Sequence, residues 1–169
     1  MVDVVLACSY LVEAVQARLG DGRELGVRLR YAVEAAPLGT GGGVRNAASL
    51  TQGRLVVLNG DTLTDVNLTE MMRSHEARGA RASISLTHVE DPTAFGLVET
   101  EVDGRIRRFL EKPSRDQITT DTINAGIYLL ERELLDLIPA GRAASMERDS
   151  PFVASAAKEL LRQLGAETK

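Results

Sequence analysis

Asp61 closes the run Leu55-Val56-Val57-Leu58-Asn59-Gly60-Asp61, a carboxylate placed just beyond an apolar strand. Open α/β sheets bind ligands past the carboxyl ends of their strands. Mg²⁺ takes an oxygen ligand of this kind and shares itself with substrate phosphates. Asp65 follows four residues later and has the plainer reading of a turn or helix cap. The second stretch is Phe109-Leu110-Glu111-Lys112-Pro113. Neighbouring opposite charges commonly mark a solvated strand edge. In a site, the lysine supplies a point charge for phosphate and the glutamate accepts hydrogen bonds from sugar hydroxyls.

Pro37-Leu38-Gly39-Thr40-Gly41-Gly42-Gly43 is the third stretch. Its glycines let the backbone approach a ligand and offer N–H groups near a helix N-terminus. A tight turn capped by Thr40, with glycines chosen for packing, explains the same residues. No Gly-Lys-Ser/Thr follows, so it is not a P-loop, and it does not fit the dinucleotide fingerprint cleanly. The fourth stretch, Asn124-Ala125-Gly126-Ile127-Tyr128, sets an amide at the entry to a strand, with Gly126 keeping space open. His75 and His88 have no second ligand at metal-binding spacing and read as helix-face and strand positions.

These residues need elements to hold them. Val2 to Ala7 reads as a buried strand, and Leu11 to Leu19 as a helix ended by Gly20-Asp21-Gly22. Val27 to Val33 alternates as a strand with one wetter face. The glycine loop follows, then a helix over Val44 to Leu50 and a strand over Leu55 to Asn59. Asn67 and Glu70 have capping-box spacing and open a helix with Leu68, Met71, Met72 and His75 on one face. This alternation implies a mainly parallel sheet covered by helices on both faces. Ala82 to His88 is a further strand, and Phe95 to Val102 and Arg105 to Glu111 flank Asp103-Gly104 as a hairpin. Ala125 to Leu130 makes a last strand, before a helix from Glu131 to Ile138 stopped by Pro139. Phe152 to Leu164 reads as one more amphipathic helix.

The chain has 169 residues, 44% hydrophobic and 26% charged, the balance of a globular domain with a real core. With 4% aromatics, no Trp and a net charge of −4, it lacks the stacking platform and basic surface of a nucleic-acid or anionic-membrane binder. The lone Cys8, inside Val4-Val5-Leu6-Ala7-Cys8, excludes an internal disulfide and reads as a buried thiol. No signal peptide or membrane-spanning run is evident, which places the chain by default in the cytoplasm.

Taken in order, Pro-Leu-Gly-Thr-Gly-Gly, Asn-Gly-Asp, Phe-Gly-Leu-Val-Glu, Phe-Leu-Glu-Lys-Pro and Asn-Ala-Gly-Ile-Tyr resemble the sugar-1-phosphate nucleotidyltransferases. The resemblance runs from Val2 to about Asp149 and is closest to mannose-1-phosphate guanylyltransferases and glucose-1-phosphate thymidylyltransferases. It implies a Rossmann-like three-layer α/β/α fold, a mainly parallel sheet with an antiparallel hairpin. It implies that Leu38, Gly39, Thr40, Gly41 and Gly42 contact the nucleotide and that Asp61 binds Mg²⁺. Gly96, Glu111, Lys112 and Asn124 then hold the sugar phosphate, with Lys112 and Asp61 as the catalytic pair. The partners would be a nucleoside triphosphate and a sugar-1-phosphate, GTP and mannose-1-phosphate in the first instance, with a homo-oligomer as a further expectation. The sugar phosphate would attack the α-phosphate and expel pyrophosphate, a reaction of positioning and charge neutralisation.

The resemblance departs at both ends, and at the C-terminal one the family's Phe-Pro pair appears only as Ser150-Pro151-Phe152. The family opens with a strand and Gly-Gly-x-Gly-Thr-Arg-Leu-x-Pro, whereas Met1-Val2-Asp3 already matches its second strand. The fold is therefore expected to lack the family's first strand. Residues 1–149 read as a partial nucleotidyltransferase domain, and 150–169 as an unrecognised helical tail. Two other classes share part of the pattern: a non-catalytic sugar-phosphate or nucleotide-binding regulatory module, and a glycosyltransferase of related fold. The latter commonly uses Asp-x-Asp, but Asp61 and Asp65 stand further apart. A nicotinamide-dependent dehydrogenase would need a glycine fingerprint after the first strand, and Val2 to Ser9 carries none.

Overall fold

A computed structural model describes residues 2–146. The expected tail helix over Phe152 to Leu164, and with it the 150–169 division, lies outside the described residues. In chain order the elements are β1 (Val2–Cys8), α1 (Val12–Leu19), β2 (Val27–Val33), α2 (Gly39–Asn46), β3 (Leu55–Leu58) and α3 (Leu68–Ala77). β4 (Ala82–His88), β5 (Gly96–Thr100), β6 (Ile106–Glu111) and β7 (Thr122–Leu130) complete the set. The chain is an α/β fold with an antiparallel hairpin, as its pattern implies.

The strands form two sheets. β1 and β2 pair in parallel from Val2↔Val27 to Cys8↔Val33. Asp3 faces Arg28 in that register, and the guanidinium bonds both carboxylate oxygens, the Nη2 contact at 2.6 Å. The second sheet is built on β7, with β4 along one edge and β3 and β5 sharing the other. All its pairings are antiparallel, so among the described residues parallel pairing is confined to β1–β2. β3 and β4 still run in the same direction, one on each side of β7.

Helix α3 begins where the sequence places it. The Asn67 side chain accepts from the Thr69 and Glu70 N–H groups at 3.1 Å each, satisfying two otherwise orphan donors. His75, buried on that helix, meets Ser83 Oγ of β4 at 2.8 Å through Nδ1 and Glu131 Oε1 at 3.2 Å through Nε2. Arg54 donates to the same Glu131 oxygen at 2.6 Å and to Glu76 at 2.6 Å. These bonds fasten α3 to β4 and to the end of β7, which is the structural role expected for His75. His88 pairs with Asp121 at the open end of β4.

On the opposite face, Tyr128 and Leu130 of β7 pack with Ala48, Leu134, Leu135, Ile138, Ala144 and Met146. Residues 132–137 form a 3-10 turn rather than the expected α-helix. Three residues per turn bring Leu135 and Ile138 onto one line, both against the core. β7 also begins earlier than expected, at Thr122, because residues 122–124 pair with β4. Cys8 is half-buried rather than buried, and burial pushes its thiol pKa up.

Among the described residues, no strand pairs with the edge of β1 away from β2, nor with the edge of β3 away from β7. Val56 and Leu58 of β3 stay 38% and 47% exposed. Among the described residues these two apolar strands, which a doubly wound sheet would place on either side of a central strand, neither close on each other nor find another partner.

Candidate functional site

The edge of β7 changes partner along its length. Residues 127–130 pair with β3, and Ile123 pairs with Leu97 of β5. Between them the ladder is interrupted, and a cleft of about 700 Å³ opens at the ends of β3, β5 and β6. Asn59, Thr62, Asp65, Gly96, Glu111 and Asn124 are among its lining.

Gly126 makes the interruption possible. It sits at φ 72°, and a Cβ there would stand 2.8 Å from Asn59 Nδ2. The Asn59 N–H donates to Gly126 O at 3.2 Å, and the Asn124 Oδ1 accepts from Gly126 N at 2.9 Å. Asn124 Nδ2 donates to Tyr128 Oη at 2.7 Å. Asn124 therefore shapes the bulge as well as lining the cleft.

The hairpin supplies the other wall. Gly96 and Glu111 are partners in the β5–β6 ladder, and a Cβ on Gly96 would meet the Phe109 ring at 2.6 Å. Asp91 caps the short turn leading into β5 by accepting from Thr93 N–H, and the Thr93 hydroxyl first, then that N–H, hold its carboxyl below the usual range. Lys112, the next residue after Glu111, has a left-handed backbone at φ 48° and donates its N–H to Phe95 O at 2.9 Å. A non-glycine residue in that region stores strain, which recurs at functional positions. Lys112 is exposed and is the one lysine among the described residues, where every other basic side chain besides histidine is arginine.

Structure thus brings Gly96, Glu111 and Asn124 together in one cleft, with Lys112 beside it. Asp61 is exposed and does not line that cleft. Its carboxylate has no hydrogen bond or ion pair among the described residues. An unspent carboxylate fits a shared Mg²⁺ ligand, although no group of three metal-binding side chains occurs among the described residues. Asp65, which reads from sequence as a turn or cap, lines the cleft instead. Asn67 does the capping. Thr62, Ser85 and Thr87 also line it, and no residue-type signal separated them from ordinary loop and strand positions.

The glycine stretch lies elsewhere. Leu38 precedes α2, which starts at Gly39, five residues before the expected helix. Gly41, Gly42 and Gly43 are buried, and Gly41 N and Gly42 N both donate to Ala144 O at 2.9 and 3.1 Å. Thr40 Oγ1 accepts from Met146 N at 2.9 Å. The missing Cβ atoms let residues 142–146 lie against the helix, since a Cβ on Gly42 would stand 2.8 Å from Arg142 O. Glu34, not singled out from the sequence, anchors this start by accepting from Leu38 N at 2.8 Å. A Cβ on Gly43 would stand 2.7 Å from Glu34 Oε1 and 3.5 Å from Ala7 Cβ of β1, so the glycine leaves room for α2 beside the parallel pair.

The family model described as nucleotidyl transferase matches residues 1–168. A mannose-1-phosphate guanylyltransferase of Mycobacterium tuberculosis is 42% identical over 147 residues, covering 86% of this chain and 40% of that protein. A UTP–glucose-1-phosphate uridylyltransferase of Synechocystis is 31% identical over 161 residues, covering 87% of this chain and 42% of that protein. The chain spans less than half the length of these relatives. Among solved structures, HddC from Yersinia pseudotuberculosis superposes with a TM-score of 0.73 at 25% identity, over 87% of this chain and 63% of that one. HddC complexed with GMP-PN superposes at 0.71 and 20% identity, over 92% and 77%, a likeness of fold. No helix among the described residues is long and apolar enough to cross a membrane.

Proposed function

Because this chain belongs to the nucleotidyl transferase family, we propose that its cleft holds the sugar end of a sugar-1-phosphate. The reaction served would join that phosphate to the α-phosphate of a nucleoside triphosphate, with GTP and mannose-1-phosphate as the leading pair. The observation that carries the reading is the ladder pairing of Gly96 with Glu111 beside the strained Lys112. A glycine wall lets a sugar ring approach the backbone, the glutamate accepts from its hydroxyls, and the ammonium meets the phosphate.

In this reading Asn124 bounds the sugar, and Leu38 to Gly42 face the nucleotide. Asp61 would hold Mg²⁺, which when bound neutralises phosphate charge. A phosphate oxygen of the sugar forms the new bond to the α-phosphorus, and the bond to pyrophosphate breaks. Lys112 keeps the attacking phosphate in line and screens its charge. The partial domain read from the sequence over 1–149 would carry this site, and the chain would work in the cytoplasm.

A second reading, sugar-phosphate binding without turnover, draws on the Ala144 carbonyl that occupies the N–H groups of Gly41 and Gly42. Pyrophosphate release from GTP and mannose-1-phosphate with Mg²⁺ separates the two. Release that is lost in Lys112→Ala supports transfer. Mannose-1-phosphate binding without release supports the binding module, and neither would sink both.

A further inference from the structure

Resting on the sugar-phosphate reading, we propose that the cleft selects by charge. Neutral and amino-substituted hexose 1-phosphates enter, whereas a sugar with a second anionic group is refused. Among the described residues two carboxylates stand in its lining, Asp65 after β3 and Glu111 at the end of β6. Neither has a cation partner among the described residues. The remaining polar lining is neutral, hydroxyls of Thr62, Thr64, Ser85 and Thr87 with the amides of Asn59 and Asn124, and among the described residues no Arg, Lys or His joins it.

None of the arginines nearest Glu111 in sequence joins the lining, Arg115 included, whose charge acts on Asp91. Arg107 and Arg108 ion-pair with Glu99 further along the hairpin. Lys112 lies outside the lining and, on that reading, meets the 1-phosphate. The chemistry is thus divided between a cation beside the cleft and acids and hydroxyls within it. Hydroxyls and amides exchange hydrogen bonds with a polyol in either direction. A carboxylate or second phosphate would instead sit among two unneutralised negative charges, partly shielded from solvent, where Coulomb repulsion exceeds its value in water. An ammonium would gain from the same field. Asp65 is therefore a specificity-determining residue as well as a lining one.

Hexose, hexosamine and hexuronic acid 1-phosphates of one configuration change charge at nearly constant shape. Calorimetric titration of the chain with these three, and with inorganic phosphate, reads the selection. The hexose and hexosamine compounds should bind at least tenfold tighter than the uronic acid. Asp65→Asn and Glu111→Gln should each narrow that ratio several-fold, with thermal denaturation confirming that both variants remain folded. Equal binding of hexose and uronic acid would overturn charge selection and leave the sugar-phosphate reading standing. If no sugar phosphate binds better than inorganic phosphate, both fall. If Asp65→Asn is unfolded, Glu111→Gln alone decides, and an unchanged ratio there overturns the proposal.

Discussion

Gly96 and Glu111 face each other across the β5–β6 ladder so closely that a Cβ on Gly96 would stand 3.2 Å from Glu111 Oε2. It would also press on Phe109 Cζ at 2.6 Å. Gly96→Ala must therefore displace a ring and a carboxylate together. The expected cost is about 1–3 kcal/mol of stability, as for other overpacked sites. Glu111→Gln removes only a charge and should leave stability nearly unchanged while weakening mannose-1-phosphate binding roughly tenfold, the loss of one charged hydrogen bond. Chemical denaturation and calorimetry on the two variants separate packing from recognition. A Gly96→Ala protein of full stability would show that the hairpin gives way without cost.

Asp61→Asn should weaken Mg²⁺-dependent nucleotide binding and leave the unfolding midpoint within error. The carboxylate is exposed and makes no hydrogen bond or ion pair among the described residues, so the fold loses no such bond with it. Titration of GTP with and without Mg²⁺, beside thermal denaturation, reads both effects. Unfolding of the variant would make Asp61 a structural anchor.

Glu99 sets an acid limit. It is only 6% exposed and accepts hydrogen bonds from Thr119 Oγ1 and from Arg107 at 2.6 and 3.1 Å. The Thr119 hydroxyl first, then Arg107, hold its pKa below the ordinary glutamate value. A depressed carboxylate stabilises the fold above its unfolded pKa, and that stability drains as pH falls through the folded one. Stability should therefore decline on acidification below the usual glutamate range. Glu99→Gln should be less stable at neutral pH and lose less on acidification. Denaturant midpoints from neutral pH down to pH 3 test it, and parallel pH curves for the two proteins would refute it.

The open edges of β1 and β3 should make the chain associate. Among the described residues each presents unpaired backbone groups, and β3 adds half-exposed Val56 and Leu58. Light scattering should show mass rising with concentration, and Val56→Lys should reduce it. A monomeric, cooperatively unfolding and highly stable protein would contradict this expectation.

Much of the architecture was legible because local chemistry controls it. The strand over Val27 to Val33 and the strand over Ala82 to His88 stand where their apolar patterns put them. Asn67 caps α3 because a short side-chain acceptor reaches the free N–H groups of the next turn whatever lies around it. The hairpin turn at Asp103-Gly104 is equally local.

What the sequence by itself determined, then, was the family, the order of the elements and the approach of Gly96, Glu111 and Asn124 to one sheet end. Period and cap chemistry act within a few residues and need no tertiary partner. Only the tertiary structure decided the rest. Burial against residues 142–146 turned the glycine stretch into the start of α2, because Gly41 and Gly42 could give their N–H groups to Ala144 O. A change of partner along one edge of β7 drew Asp65 into the cleft and left Asp61 outside it. Such outcomes depend on contacts between segments dozens of residues apart, where loop closure and close packing, rather than local preference, select the conformation.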